Sequence, residues 1–227
     1  MPITKMLLSN GWIAAVVCFM GYCLIGVLQD ARELRTWKAE AARLEKIVGH
    51  LEVRDPGKIH VLQVSDDGPS EILWQVALPA NQTWMFQYNM PIGGGGTSRW
   101  GPHPDNQQMI VRSRIIKIGD RWTLFVARSQ GSGSNGLVDR VGEFLNQHWD
   151  ELKVDAAGKG RQASYGVDEV ISLLNVRVPA SLFSTVRKKL GSYSVRKLKE
   201  EPILQIEIGT SIAFESRKKA AQLKEGD

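Results

Sequence analysis

The stretch QMIVRSRIIKIGDRWTLFVAR, residues 108–128, decides the class of the soluble part of this chain. Gln108 to Ile118 and Arg121 to Arg128 read as two strands. Gly119-Asp120 joins them, a two-residue link with glycine first, as a type II′ hairpin turn prefers. Upstream, Trp84, Phe86 and Tyr88 share one face of a run from Thr83 to Tyr88. Ile72, Trp74, Val76 and Leu78 share a face of Glu71 to Leu78, and Lys58 to Ser65 is strand-like as well. Parallel return needs a dozen or more residues, so short links predict an antiparallel β-meander of about five strands.

Downstream, Leu137, Val138, Val141, Leu145, Trp149 and Leu152 recur at helical spacing. Residues 155–164 read as a polar loop, Val167 to Val178 as a helix or strand, and Pro179 stands near the start of a helix. A last strand follows at Ile203 to Ile208, and the charged tail from Glu215 is expected to be mobile. The layout is α+β, with two or three helices packed on the sheet.

Asp55-Pro56-Gly57 ends whatever helix precedes this domain, because proline disfavours helical geometry in the residue before it. From Trp12 to Leu28 no residue is charged. As a helix this run spans about 26 Å against a hydrocarbon core of about 30 Å, and recruiting Met6 to Leu8 closes the gap. Trp12, Phe19, Tyr22 and Leu28 mark it as a transmembrane helix with an interfacial tryptophan. A cleaved signal peptide would end in small residues, whereas this run passes through Val27-Leu28-Gln29-Asp30 into a charged segment. Counting basic residues alone places the C-terminal side in the cytoplasm, and counting net charge reverses that. The cysteine-free, tryptophan-bearing domain tips the expectation towards an extracytoplasmic location.

Residues 30–53 are rich in helix formers and contain no proline. Leu34, Trp37, Ala41, Leu44, Val48 and Leu51 alternate spacings of three and four, the seam of a short coiled coil. In a parallel dimer Glu33 would face Lys38 of the partner helix favourably, while Glu40 would face Glu45 unfavourably. A helix laid against its own domain fits the same pattern. The expected organisation is a tail and transmembrane helix over 1–29, a helical stalk over 30–55, an α+β domain over 56–214 and a charged tail over 215–227.

The composition, 43% hydrophobic and 23% charged, is that of a folded protein. Cys18 and Cys23 lie inside the apolar run, which leaves the soluble part without a disulfide framework or cysteine-ligated zinc. The net charge of +5 collects in short clusters, Arg187-Lys188-Lys189, Arg196-Lys197 with Lys199, and Arg217-Lys218-Lys219. Such clusters are usually solvated helix faces, and anionic lipid or nucleic acid is the alternative.

Gly131, Gly133 and Gly136 satisfy G-x-G-x-x-G, the pattern that lets backbone N–H groups approach a phosphate at a helix N-terminus. The preceding run is one arm of a tight hairpin rather than the first strand of a parallel unit, which favours a plain connector. Gly93 to Gly96 lead into Arg99, Trp100 and His103, a stretch with the composition of a recognition loop. His103 and Asp105 lack a third metal ligand, and no nucleophile elbow or zinc-protease helix occurs, so neither a metal, a cofactor nor a catalytic residue is expected. Trp84, Phe86 and Tyr88 with Arg112 and Arg114 have the composition of a single-stranded nucleic-acid platform, but a sheet core explains the rings more simply, and nucleic acid is an unlikely partner. The expected function is a single-pass membrane protein presenting its domain for interaction or structural roles, with a protein partner or with itself through residues 34–51. The competing class is a tethered enzyme or a small-molecule- or nucleotide-binding domain using the glycine-rich loops at 93–101 and 131–136.

Overall fold

A computed structural model of the chain describes residues 51–105, 107–128 and 131–225. The expected transmembrane helix at 12–28, the expected stalk as far as residue 50 and the expected self-association seam as far as Val48 lie outside the described residues. Among the described residues, no helix is long and apolar enough to cross a membrane.

The central hairpin is made of β5 (Gln107–Ile118) and β6 (Arg121–Arg128), paired from Val111↔Arg128 to Ile118↔Arg121. Gly119 takes φ +59° while Asp120 keeps a negative φ, the backbone signature of the expected turn. Around this hairpin grows an all-antiparallel sheet with β1 (Ile59–Asp66), β2 (Ile72–Leu78), β7 (Gly131–Gly136) and β9 (Ala163–Tyr165), in the order β7-β6-β5-β2-β1-β9. A second antiparallel sheet has the order β4-β3-β11-β10-β8, from β3 (Trp84–Met90), β4 (Gly94–Trp100), β8 (Lys153–Ala156), β10 (Ile171–Arg177) and β11 (Leu204–Thr210).

The α+β class stands, and the single meander of about five strands gives way to eleven strands in two sheets among the described residues. The reason lies in residues 79–83, where Pro79 and the left-handed Asn81 (φ +59°) redirect the chain. β2 therefore pairs with β1 and β5, while β3 joins the other sheet beside β11. Buried side chains of both sheets meet in one core that includes Trp74, Trp84, Leu124, Leu173 and Ile206. Trp84 and Phe86 are 2% and 6% exposed, so these rings serve the core.

Four α-helices complete the domain: α1 (Asp139–His148), α2 (Phe183–Leu190), α3 (Ser192–Glu200) and α4 (Ser211–Glu225). Val141, Phe144 and Leu145 of α1, Val186 of α2 and Val195 and Leu198 of α3 enter the same core. Helix α4 replaces the mobile tail expected from Glu215, and the domain boundary at 214 falls inside it. Phe214 packs where Gly209 leaves room, and Arg217 donates to both oxygens of Glu207, at 2.6 and 2.8 Å. Residues 51–53, the described end of the expected stalk helix, are not helical. Glu52 N–H donates to Gln162 Oε1 rather than to a helical carbonyl.

Candidate functional site

Strand alternation separates Arg99 from Trp100, and His103 lies beyond the strand that carries them. Gly93 closes a short turn, its N–H donating to the Met90 carbonyl, and Gly94 to Gly96 open strand β4, paired to β3 from Met90↔Gly94 to Trp84↔Trp100. The glycines are needed because the ring of Tyr88 lies across the strand. A Cβ on Gly96 would stand 2.4 Å from the Tyr88 hydroxyl, and one on Gly95 2.7 Å from the Tyr88 carbonyl. Neighbouring residues point to opposite faces of a strand, so Arg99 and Trp100 diverge.

Trp100 turns towards the first sheet. Its indole N–H donates to Gln107 Oε1 at 3.3 Å, and the guanidinium of Arg128 stacks 4.0 Å from the ring centroid. Arg128 Nη2 donates to Ser98 at 2.9 Å, while Nη1 is buried without a hydrogen-bond partner. Burial holds the Arg128 guanidinium below its ordinary pKa. His103 is exposed, with its backbone carbonyl accepting from Asn81 N–H and its Nδ1 facing Asp105 N–H.

Arg99 points the other way, into a groove of about 700 Å³ between helix α4 and the outer face of the second sheet. Met85, Gln87 and Gln205 supply its strand side, and Phe214, Glu215, Arg217 and Lys218 its helix side. Arg99 reaches Met85 Sδ at 3.5 Å and Glu215 at 3.9 Å, loose contacts that leave its donors free to reorient. Arg217 is committed to Glu207, which is 4% exposed, and this charge-assisted pairing raises the Arg217 pKa. The groove therefore offers amides, a thioether, an aromatic ring and charges of both signs, which suits a peptide surface better than one reacting centre.

Gly131, Gly133 and Gly136 belong to strand β7, the edge strand beside β6, with Arg128↔Gly131 and Thr123↔Gly136 in register. Val138, rather than a glycine, stands at the N-cap of α1. The glycine pattern therefore does not deliver its backbone N–H groups to a helix start. The two glycine-rich runs form edge strands of different sheets. Among the described residues no group of histidine, cysteine, aspartate and glutamate side chains is arranged to hold a metal.

One buried polar cluster was not legible beforehand. His60, 2% exposed, has Nε2 2.8 Å from the Asp55 carbonyl, which assigns the proton to that nitrogen. Nδ1 then accepts from Ser164 at 2.8 Å and from the Gln162 amide at 3.2 Å. Serine beside histidine has the makings of a nucleophile and base. Here Nδ1 is shared with an amide, and Gln162 also donates to the Glu52 carbonyl, so the cluster clasps residues 52–55 to β1 and β9. Only the residue 60–164 pairing across two strands brings these groups together, and no local sequence signal announces it.

In comparisons with known proteins, the chain matches no protein family, no curated protein and no solved structure.

Proposed function

We propose that this chain is a single-pass membrane protein whose α+β domain is an interaction module for a protein partner, held on the extracytoplasmic side. The uncharged run from Trp12 to Leu28 supports the anchor, and residues 30–50 supply a helical stalk. The groove lined by Arg99, Gln87, Gln205 and Lys218 is the observation that carries the binding role. It is open, mixed in polarity and bounded by a helix and three strands, the form expected of a surface that recognises another chain.

Two measurements test this reading in native membranes. Carbonate extraction and protease protection read the anchor and its orientation; release into the supernatant would remove the membrane part of the proposal. A photo-cross-linking side chain at Gln87 should give a discrete adduct that Arg99→Glu weakens, whereas the same probe at Asp120, on the β5–β6 turn, should give none. Equal, diffuse labelling at both positions would sink the binding role.

A further inference from the structure

Two of the three basic clusters of this chain lie on one helix pair. Residues 183–200 hold six Lys or Arg and one Glu; the remaining chain, from totals of 29 basic and 24 acidic residues, has 23 of each. Arg187 and Lys188 on α2 and Arg196 and Lys199 on α3 are exposed. None of the four has a carboxylate partner among the described residues.

The hairpin is built to keep this face outward. Val186, Ser194, Val195 and Leu198 are buried, so the opposite sides of both helices are fixed in the domain. Amid the cations stands Tyr193, 57% exposed, with the Arg196 guanidinium 5.5 Å from its ring. A solvated helix face needs no large aromatic ring. An interfacial surface does, because phenol has an apolar body and a polar tip suited to the headgroup level.

We propose that the exposed face of α2 and α3, with Arg187, Lys188, Arg196, Lys199 and Tyr193, docks on the surface of an anionic bilayer. This inference rests on the anchored reading above, which keeps the domain within reach of the membrane. Clustered Lys and Arg are drawn to anionic headgroups, but the attraction fades beyond a screening length of about 8 Å. Docking therefore requires the domain to lie down on the bilayer. Lipid is favoured over nucleic acid because Tyr193 is the one exposed ring of the patch, Phe183 under Lys199 being half-buried, and no row of stacking aromatics is presented.

The test uses the full chain with Cys18→Ala and Cys23→Ala, an environment-sensitive fluorophore on Ser192→Cys, and nanodiscs of zwitterionic lipid with or without about 30% phosphatidylglycerol. Ser192 is exposed at the start of α3, beside Tyr193. The expected result is a blue shift with about twofold higher emission in the anionic discs only, reversed by about 0.5 M NaCl. Arg187→Glu with Arg196→Glu should abolish it, and the salt reversal on the parent protein gives the same information should that variant misfold. Identical spectra in both discs, while the protein stays with the disc on gel filtration, overturn the docking and leave the anchor intact. Loss of the protein from the disc overturns the anchor instead; sedimentation with vesicles of the same anionic composition then decides the patch alone. An equal, salt-sensitive response to a single-stranded oligonucleotide would overturn the choice of lipid.

Discussion

Gly158 ties the two sheets together, and replacing it with alanine tests that junction. Ala157 N–H donates to the Leu173 carbonyl in the second sheet, and Gly158 accepts from Gln63 N–H in the first, both at 3.0 Å. Gly158 has φ +71°, and a Cβ there would lie 2.6 Å from the Val61 carbonyl oxygen and 2.8 Å from Leu62 Cα. Those neighbours are backbone atoms of β1 and cannot rotate aside. Gly160 is a built-in control, with φ +72° and open space around its Cβ position. An alanine in left-handed geometry costs about 1–2 kcal/mol, and the stiffer unfolded chain returns about 0.4–1 kcal/mol. Gly160→Ala should therefore cost no more than about 1.5 kcal/mol. Gly158→Ala adds overpacking of about 1–3 kcal/mol, for a net loss of about 1–4.5 kcal/mol. In a domain of this size the overpacking lowers Tm by roughly 2–12 °C beyond the control. Thermal melts of both variants, followed by tryptophan fluorescence in the same detergent, measure the difference. Equal shifts would refute the close approach of residue 158 to β1.

Gly142→Ala should destabilise although alanine favours helices by about 1 kcal/mol, because its Cβ would stand 2.2 Å from Trp122 Cβ and overpacking costs about 1–3 kcal/mol; a higher urea midpoint would contradict the contact. Arg217→Met leaves the Glu207 carboxylate buried without its guanidinium. The loss, about 3–5 kcal/mol for a fully buried pair, falls to about 1–3 kcal/mol because the Arg217 side chain is 48% exposed. Hydrogen exchange should then quicken in α4 before it quickens in β5. Tyr165 has its pKa raised, first by burial and then by Glu169. The folded state thus holds the phenol proton more tightly than the unfolded state, and stability falls as pH rises above about 10. Tyr165→Phe should flatten that alkaline decline in a pH series of unfolding midpoints; an unchanged slope would assign the decline to other groups.

Much of the domain was legible because alternation and spacing are local. Ile72, Trp74, Val76 and Leu78 announced β2, and the Gly119-Asp120 turn announced the central hairpin. Val141 and Leu145 announced α1. The glycine strands β4 and β7 were hidden, since a residue without a side chain contributes nothing to an apolar pattern. Helix α4 was hidden in a run of charges, because its hold on the domain comes from Phe214 over Gly209 and Arg217 on Glu207, contacts made only after β11 is in place. Arg99 was singled out from composition, while its partners in the groove come from three strands and a helix distant in sequence.

The sequence by itself determined the uncharged run at 12–28, the α+β class, the central hairpin and the placing of two of the three basic clusters within residues 183–200. These are properties of neighbouring residues, set by side-chain periodicity and by the conformational limits of glycine and proline. Only the tertiary structure decided that β2 and β3 part into different sheets, that Arg99 and Trp100 face opposite ways, and that Gly209 and Glu207 receive α4. Those outcomes depend on burying two sheets against one core, and burial rewards contacts without regard to their separation along the chain.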